Sequence, residues 1–420
     1  MSRLPTFPAV LFRSLLVTLI ALTPLLVVSP AAARTQQADE APAENTDGNS
    51  DSADSLQTET EAQTEAEGQS EAKAQPETAE PDPRIGRTVI VTVDRAPLRT
   101  PKNIVWKAYR GEVFTVSLTN GEWLWISNKR GWLWEKETVD FENAIALLSA
   151  TIKDKPTAEN YDMRGIAHTA HEDYDAAIKD FSKSIRKKRM AGVLNNRGRA
   201  YYLKQDYKQA ISDFDAAIKI NPQHFVALLN RALCRMATDK PDAALADLNR
   251  ATSLNKEFPE ALNNRGVIYL QKNDIRRAIA DFSLALKIDA NYVEAYGNRA
   301  AAQRQLGMFA DAKADLETAR QKDPLNYKPV NDLAWFYATV PEAELRDAEL
   351  AVTLATKACE MTRYEDYNTL DTLAAAYALK GDFEKAGQWI LTAIELAGED
   401  EAAGLQAHRE LIEQERPIVK

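Results

Sequence analysis

Histidine and cysteine are scarce in this sequence, whose 420 residues include four of the first and two of the second. Catalytic triads, thiolate nucleophiles and zinc sites draw on those side chains, so few such constellations are open to it. His168 and His171 lie three residues apart, a helical spacing at which they either share a metal ion or pack. Also missing are the Gly-rich phosphate loop, the Gly-x-Ser-x-Gly elbow and the His-Glu-x-x-His zinc helix. Carboxylates abound, but they follow a repeat frame instead of converging on one cleft. The expectation is a non-enzymatic protein with no catalytic residue, no metal and no cofactor.

A basic excess is missing too. The formal net charge is −10, and no lysine- or arginine-rich stripe offers itself to phosphates, which excludes nucleic acid as a partner. Long apolar runs are confined to residues 15–28, shorter than a span and broken by Thr23-Pro24. Arg3 and Arg13 precede that run, no acid interrupts it, and Ala31-Ala32-Ala33 follows. This reads as a signal peptide over 1–33, cleaved after Ala33, with an uncleaved N-terminal anchor as the alternative. An exported protein without an integral span after signal removal follows: periplasmic, cell-envelope or secreted.

Residues 34–83 hold 14 acids against Arg34 and Lys73, while 84–420 balance to zero. This stretch of Ala, Glu, Gln, Thr and Ser lacks the apolar surface to offset chain entropy, and reads as a disordered acidic linker. It is either a solvated tether or a segment recognised by a basic partner.

Residues 84–137 change character. Strands are predicted over 88–93, 113–118, 122–127 and 132–134, with turns at Thr119-Asn120-Gly121 and Asn128-Lys129-Arg130-Gly131. The order Leu98-Arg99, Gly111…Val113, Gly121-Glu122-Trp123 and Gly131-Trp132-Leu133 resembles a bacterial Src-homology-3-like domain. That resemblance implies a small β-barrel and, in many members, binding of cell-wall peptides or other envelope ligands. Trp123 and Trp132 match the family's tryptophans; Trp125 and Trp134 are additions, either a ligand surface or a structural face. Residues 138–157 read as a connecting helix.

From Ala158 onward a frame repeats. Alanine recurs at 177, 210, 244, 278, 312, 351 and 386. Twelve positions before the first five stand Gly165, Gly198, Ala232, Gly266 and Ala300; four after come Phe181, Phe214, Leu248, Phe282 and Leu316. Small residues let two helices approach, large ones fill the gap beside them, and each pair leaves an apolar face for the next. The frame resembles the tetratricopeptide repeat, which implies a mainly α right-handed superhelical array of about seven helix pairs over 158–396, with a capping helix and tail over 397–420. The sixth unit carries about five extra residues within 339–346. Cys234 and Cys359 fall in helices of different repeats, too far apart to bridge, and suit buried packing.

Two ladders run through the frame. Arg164, Arg197, Arg231, Arg265 and Arg299 are matched by Asp180, Asp213, Asp247, Asp281 and Asp315, which suggests ion pairs between the helices of each unit, or an anion-binding groove. Asn196, Asn230, Asn264 and Asn298 stand one position before those arginines. They resemble the asparagine ladder of O-linked N-acetylglucosamine transferases, which implies that they grip a peptide backbone on the concave surface; the competing reading is local hydrogen bonding. A side-chain amide offers both donor and acceptor to a peptide unit. Asn195, Asn263, Arg199, Tyr202 and Arg304 are the neighbouring groove candidates. The function expected is a scaffold binding a protein or extended peptide of unknown identity. The alternative is an envelope anchor whose barrel binds wall peptide or glycan, with the repeats as spacer.

Overall fold

The computed structural model describes residues 87–419, apart from 92–95, 100–103, 109–112, 121 and 127–130. The segments expected to be a signal peptide and an acidic linker lie outside the described residues. Eight strands precede sixteen α-helices, and the described residues fall into two compact units, 87–173 and 174–419.

In the first unit, β1 (Thr88–Val91) lies between β4 (Val113–Thr115) and β8 (Thr138–Asp140) in one antiparallel sheet. The second sheet has the order β3 (Ile104–Ala108), β2 (Ala96–Arg99), β7 (Gly131–Trp134), β6 (Trp123–Ile126), β5 (Leu118–Asn120). Side chains alternate along a strand, so one face of each sheet is apolar. Val89, Val91, Leu98, Phe114, Val116, Leu124, Ile126 and Leu133 form a single buried cluster from both sheets. Pro97 masked β2 as a strand in the sequence, since proline is scarce in sheet interiors. β8 occupies the start of what read as the connecting helix. The helix itself is α1 (Ala144–Asp154), followed by α2 (Ala158–Ala170), whose N-terminus is capped by Thr157 accepting from the Asn160 amide. The two histidines of α2 and its C-cap turn to separate neighbours. His171 stacks on Phe141 at 3.9 Å between ring centroids, and His168 lies 3.7 Å from Asp173.

The second unit is all helical: α3 (Tyr174–Lys187), α4 (Ala191–Leu203), α5 (Tyr207–Ile220), α6 (Phe225–Ala237), α7 (Pro241–Leu254), α8 (Pro259–Gln271), α9 (Ile275–Ile288), α10 (Val293–Gln305), α11 (Phe309–Lys322), α12 (Tyr327–Thr339), α13 (Ala348–Met361), α14 (Tyr367–Lys380), α15 (Phe383–Leu396) and α16 (Glu399–Glu413). Gln205, Asp239, Asn273 and Gly307 end the first helix of successive pairs with positive φ. That left-handed step reverses the chain in three residues.

The pairing of small and large residues is stricter than the bare frame suggests. A Cβ on Gly198 would sit 2.7 Å from the Phe214 ring, and one on Gly266 would sit 2.6 Å from Phe282. Where the small residue is Ala232 or Ala300, the large one is Leu248 or Leu316. Volume is thus conserved across each contact.

The sixth pair, α12 and α13, is separated by a loop held by Arg346, which donates to the carbonyls of Val340 (2.7 Å) and Pro341 (2.6 Å). Cys234 and Cys359 are free and buried, and burial pushes both thiols up, Cys359 to about 11. Neither offers a thiolate at neutral pH.

Candidate functional site

The arginine ladder is structural along 191–322. Arg197 donates from Nε and Nη2 to the two carboxylate oxygens of Asp213, each at 2.7 Å, and Arg299 does the same to Asp315. Arg265 grips Asp281 at 2.7 and 2.8 Å, and Arg231 forks onto Asp247 in the same way. The aspartates are buried, and their hydrogen bonds raise the pKa of Arg197, Arg265 and Arg299. The remaining nitrogen reaches into the preceding pair: Arg197 to Ser182 at 3.0 Å, Arg231 to Asp215 at 2.6 Å, Arg265 to Thr252 at 2.8 Å and Arg299 to Ser283 at 3.1 Å. Each fork therefore fixes three helices at once. In the first unit, Arg164 makes the corresponding bond to Ser149 at 2.9 Å.

The asparagines occupy a different kind of row. Asn195, Asn196, Asn230, Asn263, Asn264 and Asn298 are all buried. Asn230 Nδ2 donates to Asn195 Oδ1 at 3.0 Å, and Asn298 Nδ2 donates to Asn263 Oδ1 at 2.8 Å. Asn264 turns back to the Glu260 carbonyl of its own helix at 2.7 Å. The ladder is thus two amide pairs that bridge successive first helices, two repeats apart. In the first pair, Asn195 Nδ2 and Asn230 Oδ1 are buried without a hydrogen-bond partner. One donor and one acceptor are left over, the complement of a peptide unit.

Arg199 lies one helical turn beyond Asn195 on α4. It is half-buried, its Nε has no acceptor, and desolvation pulls the guanidinium down to about 10. Tyr202 packs edge-on against Tyr207 at 5.6 Å, and burial pushes its hydroxyl pKa up. Arg304 donates to Thr339 Oγ1 at 3.3 Å, lies over the Phe336 ring, and is also lowered by desolvation. It borders a pocket of about 180 Å³ between α10 and α12, with Glu294, Asn298, Lys328, Asp332 and Trp335. Burial raises the Glu294 pKa. Sequence reasoning missed Glu294, Lys328, Asp332 and Trp335, although Asp332 stands 34 residues after Asn298 at the ladder position.

On the sheets, β6 and β7 set Trp123 opposite Trp134 and Trp125 opposite Trp132. The Trp123 and Trp134 rings stack at 6.5 Å, Trp134 Nε1 donates to Glu122 at 3.3 Å, and Lys136 sits over the Trp134 ring at 5.1 Å. The Trp125 side chain lies outside the described residues.

A family model for the tetratricopeptide repeat matches residues 191–224 and 259–292. The chain carries tetratricopeptide repeats. The two matched segments hold Asn195 with Gly198 and Asn263 with Gly266, so each amide pair begins in a matched unit. Among solved structures, the APC/C hetero-tetramer Cut9-Hcn1 is similar at a TM-score of 0.50 and 20% identity, over 56% of this chain and 46% of that one. This chain therefore spans under half of that protein. A tetratricopeptide repeat protein from Parabacteroides merdae aligns at 0.45 and 17% identity, over 61% of this chain and 98% of its own. Yeast Tom70 aligns at 0.46 and 17%, over 65% and 59%. No curated protein matches the chain. The feature shared with Cut9-Hcn1 is a mainly helical repeat fold. Among the described residues no helix is long and apolar enough to cross a membrane, and no group of three metal-ligating side chains converges.

Proposed function

We propose that the chain is an exported, non-enzymatic scaffold whose repeats coil into a right-handed superhelix and hold an extended peptide of a partner protein against their first helices. The observation that carries this reading is the Asn195–Asn230 pair with its unfilled donor and acceptor. A second pair, Asn263–Asn298, repeats the bond between the two amides two units on. Evenly placed amides grip a backbone with little demand on its side chains. The basic, apolar and small-residue order of 1–33 supports export.

The test replaces Asn195 and Asn263 by Leu, the residue that stands naturally at the same position as Leu229. Helicity should be unchanged and capture of partner proteins from a native envelope extract should be lost. Recovery of the same partners by both versions would remove the amide pairs from the binding surface.

The Trp123–Trp134 stack on the sheets supports a second reading, in which a Src-homology-3-like barrel anchors the protein to wall peptide or glycan. Co-sedimentation of the Trp134→Ala chain with isolated envelope, beside the unaltered chain, tests it: equal sedimentation counts against the barrel.

A further inference from the structure

We propose that Arg199 forms an acid-accepting subsite, so that the peptide held by the Asn195–Asn230 pair presents a Glu or Asp side chain there; this rests on the peptide-binding reading above. Burying a cation without a counter-charge is costly, and proteins ordinarily pair it. The neighbouring ladder arginines follow that rule, each with a buried aspartate, and Arg235 too reaches Asp247 at 2.6 Å. Arg199 departs from it: among the described residues no carboxylate or other acceptor meets its guanidinium, and its Nε is buried and open. Its place on α4 matters as much as its charge. Residues four apart share a helix face, so Arg199 stands beside Asn195, whose Nδ2 is the unfilled donor. A carboxylate on the guanidinium nitrogens of Arg199 that solvent reaches would supply the missing counter-charge, in a stretch of acidic chain laid beside Asn195 and Asn230.

The wider field agrees. Residues 174–300 carry a net charge of +8, and residues 341–420 carry −9. An acidic peptide is drawn to the end of the array where Arg199 lies and repelled from the other. At the position of Arg199 in the following repeats stand Leu233, Val267, Ala301 and Trp335. The acid is therefore read once, at one end of the peptide track, which fixes the direction and register of an otherwise sequence-tolerant ligand.

The experiment uses the full chain and three fluorescein-labelled 12-residue peptides of alternating Glu-Ala, Gln-Ala and Lys-Ala, followed by fluorescence anisotropy. The Glu-Ala peptide should bind at least tenfold more tightly than Gln-Ala, and Lys-Ala more weakly than both. Arg199→Gln should abolish the preference for Glu-Ala while leaving the affinity for Gln-Ala in place, and Arg199→Lys should retain part of it. Asn195→Leu should weaken Glu-Ala and Gln-Ala alike. Equal binding of these two peptides to the unaltered chain would overturn the subsite and leave the groove standing; binding of neither would overturn both. The melting temperature separates recognition from packing. Loss of an uncompensated buried charge should leave it unchanged or higher in Arg199→Gln, and a clear fall would make Arg199 a structural residue.

Discussion

Residues 191–322 and 327–396 build the same helix pairs with different cement. In the first stretch every pair is pinned by an arginine fork on a buried aspartate. In the second the same two positions hold Leu333 with Leu354, then Leu373 with Trp389, inside one extended apolar cluster. The rung needs filling; it does not need charge. The charged version adds a third arm to the preceding pair, and where that arm exists the frame alanines 177, 210, 244, 278 and 312 keep a near-constant spacing. In the apolar stretch the spacing lengthens, and helix N-termini are fastened individually by Asn326, Asp347, Asp366 and Asp382. In the forked stretch Asp206, His224 and Asp274 cap α5, α6 and α9, while α4, α7, α8, α10 and α11 have no side-chain cap.

The comparison is broken most severely at Asp281. Asp281→Ala strands Arg265 among buried groups and should cost about 3 kcal/mol in urea unfolding. Arg265→Leu with Asp281→Leu copies the Leu333–Leu354 rung and should recover most of that loss; no recovery would show that the two cements are not interchangeable.

Next in size is an effect of pH. His224 caps α6 by accepting from the Ala227 amide through Nδ1 at 3.2 Å, so the capping tautomer is neutral. Desolvation lowers its pKa from 6.5 to about 4. Between those values the unfolded chain binds the proton and the folded chain does not. Stability is therefore lost as pH falls from about 6.5 to 4, by about 3 kcal/mol in all, and levels off below. His224→Asn keeps a capping acceptor without a titrating group and should flatten unfolding free energies measured across that window; a persistent slope of the same size would assign it to other groups.

Gly266→Ala comes third. In an open helix that change stabilises by about 1 kcal/mol. Here the new methyl meets Phe282, and thermal unfolding should show a net loss of about 2 kcal/mol. Adding Phe282→Leu recreates the Ala232–Leu248 contact and should reverse the sign. The smallest effect sharpens the contrast in capping: Asp347 accepts from the Leu350 amide at 2.9 Å, and Asp347→Ala should lower stability by about 1 kcal/mol, whereas Met308→Ala, at a cap with no side-chain bond, should leave the start of α11 unchanged in amide exchange.

Most of the helical architecture was legible because each unit restates its neighbour. Gly198, Ala210 and Phe214 recur in register, and repetition turns a weak propensity into a frame. The ion-pair rungs were legible for the same reason. The third arm of each arginine was not: Ser182, Asp215, Asn249 and Ser283 share a frame position without sharing a side-chain type, and Arg265 also reaches Thr252, three residues further on. The pairing of the asparagines was hidden too. Asn195 bonds to Asn230 and Asn263 to Asn298, across a step of 35, while the ladder visible in the sequence joins residues 34 apart. Arg199 was one groove candidate among several in the sequence, and only the structure separates it from the ladder arginines, which have buried partners where it has none. In the first unit Pro97 concealed β2, and Val139 looked like the beginning of a helix until β8 was seen to pair with β1.

The alternation of Gly–Phe and Ala–Leu contacts makes the repeat unit of this stretch a couplet. Asn195 and Asn263, and likewise Tyr201 and Tyr269, recur on the same double beat, while the residues at the alternate positions, Leu229 and Gly297, Arg235 and Gln303, differ from each other. Along 191–322 the contact between small and large residues therefore repeats every 68 residues and not every 34. Each of the two couplets carries one amide pair, Asn195–Asn230 and Asn263–Asn298, so the hydrogen bonding between first helices follows the couplet and not the single repeat.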